Sequence, residues 1–428
     1  MSLTHRIEPF AALAFDPTQV GSWDQVVAPP YDLIDAARQN ELYARSPYNV
    51  IRLELNREAD PYAAAAATLA EWRASGVVTR ASRPAIYLYA QRFAHDGRKL
   101  ERRGLIARVR LEAFGSGRIL PHERTFPKAK EDRLKLLEAT RTNISSIFAL
   151  YSSDNAALEK LLSEIARREI TIAATDEAGI VNEIRAITTP EEIAIVQHAL
   201  ADAQMLIADG HHRYETALEY RRRRIEAGSE KSAQPFDYVM MTLVAFDDPG
   251  LVILPTHRVV RQLPADASMR FAARSGDHFA IEEFADPGTF RAALTSLGRG
   301  ALGVALKGDP QFKILTLRDS TILAHTMPAA PPAVRELEVS ILHALVFDRI
   351  FGITAEEVRA GGSLEYTIDA HAALAKVATG AADGAFLMNP PMVDDVARVA
   401  AAGATMPEKS TYFFPKLLTG LVMNPLDA

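Results

Sequence analysis

With 428 residues, 48% of them hydrophobic, the chain can bury large cores and exceeds a single ordinary domain of about 100 to 200 residues, so two or three domains are expected. The net charge of -6 is built from interspersed acids and bases and offers no basic field to a nucleic-acid backbone, and the lack of cysteine excludes disulfides, thiol nucleophiles and zinc–thiolate sites. No charged-then-apolar leader opens the chain and no apolar run approaches the roughly 18 residues of a spanning helix, so the expectation is a cytoplasmic protein without nucleic-acid or membrane partners.

From the start of the chain, residues 26–31 read VVAPPY. Two prolines impose an extended approach and present Tyr31 and Asp32 at the entrance of a helix that begins near Asp35. Both are candidate substrate contacts; the plain alternative is a rigid turn ending in an Asx cap. Residues 46–55, SPYNVIRLEL, predict a strand through Val50, Ile51, Leu53 and Leu55, with Asn49 and Arg52 at its start as further substrate-side candidates. An alanine-rich helix follows over 62–75 and stops at Gly76. Residues 85–93 and 102–111 alternate on either side of HDGRK, which predicts a hairpin turning at Asp96-Gly97.

Residues 120–133 form a polar cluster, LPHERTFPKAKEDR, before a helix whose Leu134 and Leu137 face inward until Arg141 ends the stripe. The reading is a long loop that carries acid, base and cation toward a ligand: Glu123 as a catalytic carboxylate, Arg124 and Lys128 on phosphate, His122 on substrate. The alternative is a solvated loop. A buried strand returns over 143–151 with its apolar run at 147–150, and 154–190 hold a helix, a strand and a short hairpin before Pro190 opens another helix.

Residues 205–224 read MLIADGHHRYETALEYRRRR. The apolar run predicts a strand, Asp209-Gly210 a tight turn and the rest a helix. Gly210 permits the sharp turn, and His211, His212 and Arg213 then stand at a helix opening beside unpaired N–H groups, which is an anion site suited to phosphate. Asp209 and His211 are the catalytic candidates here, and Gly210, His212 and Arg213 the phosphate-binding ones. The plain alternative is a pair of histidines that cap a helix. The four arginines 221–224 spread around the helix and read as its solvated end. A strand over 238–246, a turn and a returning strand over 251–254 deliver Thr256, His257 and Arg258; His257 is a substrate candidate or a structural histidine.

Beyond 265, strands over 277–284, 303–306, 312–317 and 384–388 alternate with helices over 332–351, 370–378 and 393–402, the pattern of an α/β domain. Near the end, MPEKSTYFFPKLLTG places Lys409, Ser410 and Thr411 in sequence, an ammonium and two hydroxyls that suit phosphate, without the glycines of a phosphate loop.

The stretches VVAPPYDLID, SPYNVIRLEL, LPHERTFPKAKEDRLKLL, IADGHHRYETAL and MPEKSTYFFPK together resemble the bacterial and archaeal family known as domain of unknown function 1015, over residues 26–416. Locally, Asp-Gly-His-His-Arg at 209–213 is similar to the phosphate-binding box of the ParB and sulfiredoxin-like fold, whose members bind nucleotides and include kinases of free L-serine. The resemblance implies a mixed α/β (α+β) fold with a ParB-like core over 191–264, an N-terminal region over 1–190 that contributes site loops and a C-terminal α/β domain over 265–428. It implies phosphoryl transfer from a nucleotide to a small hydroxylated metabolite such as L-serine, with ATP or ADP and Mg2+, and it allows a homodimer. A nucleotide-sensing regulator and a phosphohydrolase are the other readings; acidic charge and the lack of a helix-turn-helix stand against the regulator. In compact members a carboxylate motif lies a few dozen residues before the box, whereas here Tyr31-Asp32 and His122-Glu123 lie much further upstream. The base is therefore contested between Asp209 and Glu123, and position at the carboxyl end of a strand favours Asp209.

Overall fold

The alternating segments around Asp96-Gly97 form a long hairpin of β1 (Ile86–His95) and β2 (Arg98–Arg110). In the structure, a computed structural model that describes residues 5–123, 125, 127–228, 234–354, 357 and 363–427, Asp96 and Gly97 both have positive φ, 48° and 71°. Such a turn matches the right-handed twist of its strands, and His95 pairs with Arg98 across it.

The hairpin belongs to a nine-stranded mixed sheet. Its other elements are β3 (Ile119–Leu120), α1 (Pro127–Thr140), β4 (Ile147–Tyr151), β5 (Ile172–Thr175), β6 (Val181–Ile187), β7 (Met205–Asp209), α2 (His211–Glu226) and β8 (Tyr238–Ala245). The strand order is β3-β7-β4-β8-β2-β1-β6-β5, with Ile7–Glu8 paired to β2 off this path. All five residues of β4 are buried, as befits a strand covered on both faces. Leu105, Ala107, Ala149, Ile207, Met241 and Tyr214 join one core, and Leu134, Leu137, Tyr220 and Phe236 pack α1 against α2. The pairing that matters for chemistry is at one edge: β7 runs parallel to β3, with Met205 beside Ile119 and Leu206 beside Leu120. Two parallel strands emit their chains at the same end, so His122-Glu123 and Asp209-Gly210 arrive together.

The chain divides into two units, residues 1–251 with 415–428, and residues 252–414. The division expected at 190/191 gives way because β7 and β8 hydrogen-bond to β4 and β2 within one sheet, and the one expected at 264/265 falls at 251/252 because His257–Val260 pairs with strands of the second unit. The second unit holds a six-stranded sheet in the order Phe279–Phe284, Phe312–Leu317, Ala301–Leu306, Gly384–Met388, His257–Val260, Leu364–Thr367. Each of its pairings is antiparallel, so the alternating helices, such as Pro287–Leu297 and Ala370–Ala378, pack on an antiparallel sheet.

Other expectations are corrected. Residues 50–55 form no strand; Ile51–Glu54 is a helical turn. Asn49, wholly buried, caps it: Oδ1 accepts from Ile51 N at 3.0 Å while Nδ2 donates to Gln25 O and Val27 O at 2.8 and 3.0 Å. The apolar run came from burial on several sides, not from a strand's two faces. The loop over 120–133 is shorter than expected, since α1 begins at Pro127. Val252–Leu254 pairs with Tyr412–Phe414 instead of returning along β8. The single helix over 332–351 is three pieces, Pro332–Arg335, Glu338–Ile341 and the π-helical Leu342–Phe351. The break falls at Leu337, which is extended with ψ 135° and buried, while the Glu338 carboxylate accepts from Gly300 N at 2.6 Å. Among the described residues no helix is long and apolar enough to cross a membrane.

Candidate functional site

The strand, turn and helix read from residues 205–224 are present as β7, Gly210 and α2. Gly210 takes φ 96° and ψ 28°, and a Cβ there would stand 3.0 Å from Arg213 Nε and Nη2. Only glycine meets both conditions, because Arg213 folds back over the turn. Its Nη2 donates to Asp209 at 3.0 Å and its Nη1 to Ser146 O at 2.6 Å. Lys416 Nζ lies 3.6 Å from the other Asp209 oxygen. One carboxylate thus gathers two cations at a helix N-terminus, where first-turn N–H groups have no intrahelical acceptor.

Behind this turn stand two buried imidazoles. His122 Nδ1 is 2.6 Å from Ile207 O, and a carbonyl can only accept, so Nδ1 carries the proton. His211 Nε2 accepts from His122 N at 3.2 Å, which leaves the proton on Nδ1, 4.0 Å from Glu123 Oε2. The rings meet edge to face at 4.7 Å. Burial pushes His122 down to about 4 and His211 well below the usual histidine range, so both are neutral at pH 7. A neutral His211 adds no positive charge to the turn. It instead links the 122–123 segment to the helix, and the half-buried His212 is the next position outward.

A third layer lies under Arg213. Arg133, with Nη1 3.1 Å from Glu54 Oε1 and Nε 2.8 Å from Asp132, holds its guanidinium 4.3 Å over the Tyr31 ring. Burial raises the Tyr31 phenol to about 12, and the nearby charges of Arg213 and Arg133 oppose that rise. Arg213, Glu54, Arg133, Ser145 and Thr216 line a cavity of about 50 Å³.

The structure thus brings Tyr31, His122, Glu123, Asp209, Gly210, His211 and Arg213 together. Asp32 is exposed beside Tyr31. Asn49 spends its amide on the cap described above, and Arg52 stacks on Tyr43, 4.4 Å from the ring, while donating to Tyr43 O at 3.2 Å. These contacts explain both residues as structural. Lys128 is exposed on α1, and Arg124 lies outside the described residues. His257, Lys409, Ser410 and Thr411 belong to the second unit. His257 Nδ1 accepts from Met388 N at 3.2 Å, and burial pushes it down to about 4. The Ser410 hydroxyl donates to Pro407 O, Lys409 is exposed with φ 51°, and Thr411 precedes the strand Tyr412–Phe414. This is a closed turn, with one hydroxyl already spent within it. Sequence reading missed Glu54, Arg133, Ser146 and Lys416 as site residues. Glu54 was hidden by its strand-like surroundings, and Lys416, at the far end of the chain, carries no local signal. Among the described residues no group of three or more His, Asp or Glu is placed to hold a metal ion.

These features define a mixed α/β protein with an aspartate–glycine–arginine turn at the mouth of a helix. The chain belongs to the family described as protein of unknown function DUF1015, whose model matches residues 7–340. No curated protein matches it. Among solved structures it is similar to a conserved hypothetical protein from Pyrococcus furiosus, at 14% identity over 70% of this chain and 89% of that one, with a TM-score of 0.34. A free serine kinase in complex with AMP gives 14% identity over 69% and 83%, with a TM-score of 0.34. SbnI with a C-terminal truncation, from Staphylococcus aureus, gives 12% over 75% and 87%, again with 0.34.

Proposed function

We propose that the chain binds a nucleotide through the Gly210–Arg213 turn and transfers a phosphoryl group to a small hydroxylated metabolite, with L-serine the first acceptor to try. The observation that carries this reading is Arg213 folded over a helix N-terminus by Asp209, with Lys416 beside it. Phosphoryl transfer asks for cations and N–H groups on the phosphates more than for covalent chemistry. ATP or ADP supplies the phosphates. Mg2+ keeps most of its ligands from phosphate and water and takes one or two carboxylates from the protein; Glu123 would be that carboxylate, because both Asp209 oxygens already face cations. The sequence favoured Asp209 as base; with Arg213 and Lys416 on its oxygens, we read it as the organiser of the phosphate end, across His211 from Glu123.

Calorimetry with ATP and ADP, followed by ADP release with L-serine, tests the reading. Arg213→Ala should weaken nucleotide binding tenfold to a hundredfold, the loss of a charge-assisted contact of about 1.5 to 3 kcal/mol. A wild-type protein that binds neither nucleotide refutes it. Release of phosphate from phosphoserine without nucleotide would point to hydrolysis instead.

A further inference from the structure

Glu54, only 3% exposed, sits on the helical turn Ile51–Glu54. Its Oε1 takes hydrogen bonds from Arg133 Nη1 at 3.1 Å and Ser145 Oγ at 3.4 Å, while the buried Oε2 has no hydrogen-bond partner. Arg213 is in the complementary state. Its two terminal nitrogens donate to Ser146 O and Asp209, and its buried Nε has no acceptor. Native proteins seldom leave such groups unmatched, and each calls for a reason.

Both residues line the same cavity of about 50 Å³, alongside Arg133, Ser145 and Thr216. About 10 to 15 Å³ of such space suffices for one water, so the cavity holds a few small groups. The two unmatched atoms restrict which. An ammonium donates but cannot accept from Arg213; a carboxylate or phosphate oxygen accepts but cannot donate to Glu54; a hydroxyl does both.

We propose that this cavity is the subsite for the acceptor's hydroxyl, which donates to Glu54 Oε2 while its oxygen accepts from Arg213 Nε. The proposal rests on the phosphoryl-transfer reading and deepens it, because Arg213 then serves the phosphate turn with one edge and the acceptor with another. Both atoms are shielded from solvent, so the Glu54 carboxylate turns about its terminal torsion, the softest in that side chain, to meet the hydroxyl, while Arg213 stays held by Ser146 and Asp209. In the transfer, the hydroxyl oxygen forms the new bond to the γ-phosphorus. The bond from that phosphorus to the bridging oxygen breaks, its electrons leave with the nucleoside diphosphate, and the hydroxyl proton passes to Glu54. A loose transition state needs the hydroxyl oriented more than it needs an early proton transfer, which a carboxylate paired with Arg133 can provide.

A trapped water meets the same two atoms, and the experiment separates the cases. The full chain is heated with L-serine or L-homoserine and with their deoxy partners L-alanine and L-2-aminobutyrate, without nucleotide. The expected result is a rise in melting point from a hydroxylated probe that its deoxy partner does not give, lost in Ser145→Val, whose added methyl groups fill the cavity and leave the Glu54–Arg133 pair intact. No rise, equal rises within a pair, or a rise retained by Ser145→Val overturns the subsite. Calorimetry and ADP release with ATP then distinguish it from the reading beneath. Wild-type nucleotide affinity in Ser145→Val and Glu54→Gln, with acceptor KM raised about tenfold or more, supports the subsite. Unchanged acceptor KM and kcat in both variants leave phosphoryl transfer standing and remove the subsite. A wild-type chain that binds no nucleotide yet shows the hydroxyl-dependent rise removes the transfer reading and keeps the subsite.

Discussion

Gly210 is the residue at which backbone geometry and site chemistry meet. An alanine there would hold a left-handed φ of 96° at a cost of about 1 to 2 kcal/mol, and its Cβ would press on Arg213. Gly210→Ala should therefore lower the urea midpoint and weaken nucleotide binding together; a variant that matches wild type in both measurements would contradict the geometry. The paired histidines make a prediction of a different kind. His122 is buried and neutral, with its folded-state pKa pushed down to about 4, so between that value and the unfolded pKa of about 6.5 only the unfolded chain takes up the proton. Stability is thus complete above about pH 6.5 and falls as pH drops toward 4. His122→Asn, which has nothing to protonate, should flatten the fall. Urea midpoints measured from pH 7.5 to 5 decide it, and parallel slopes for the two proteins would mean that His122 is not the group responsible.

At the scale of elements, the pieces with local instructions were readable. Asp96-Gly97 announces a two-residue turn by its chemistry, and the chain over 205–224 changes from a strand's apolar run to a helix just where Gly210 stands. The segment after Asn49 was misread because its apolar residues fit either period, and the deciding interactions come from residues 25 and 27. Those contacts give an expected outcome. Asn49→Ala removes the cap and strands the buried Val27 carbonyl and the part-buried Gln25 carbonyl, so it should destabilise the protein by about 2 to 3 kcal/mol without touching the phosphate turn. A loss under about 0.5 kcal/mol in denaturant unfolding, the range of ordinary surface changes, would show that the cap is dispensable.

Over the whole molecule, the last residues complete the first unit. Met423 O accepts from Leu13 N at 2.9 Å, Asn424 and Pro425 pair with Asn143 and Thr142, and Arg108 donates to Asn424 and to Pro425 O at 2.7 and 2.8 Å. Removing residues 415–428 should lower the melting point by several degrees, raise amide exchange around Thr142 and Asn143, and take Lys416 from Asp209. Unaltered exchange at Thr142 and Asn143 would count against this role.

The sequence by itself determined the local units of this protein: the hairpin, the strand-to-helix turn at Gly210, the inward leucines of α1 and the family to which its motifs point. Their signals lie within a few residues, in turn chemistry and hydrophobic period. Tertiary structure alone decided which carboxylates meet which cations. Parallel pairing of β3 with β7 sets Glu123 beside His211, and the closing segment returns Lys416 to Asp209. It also decided the charge of the two buried histidines. An imidazole two residues from an arginine looks cationic in a sequence, but its charge depends on the water around it, and the packing of distant strands removes that water.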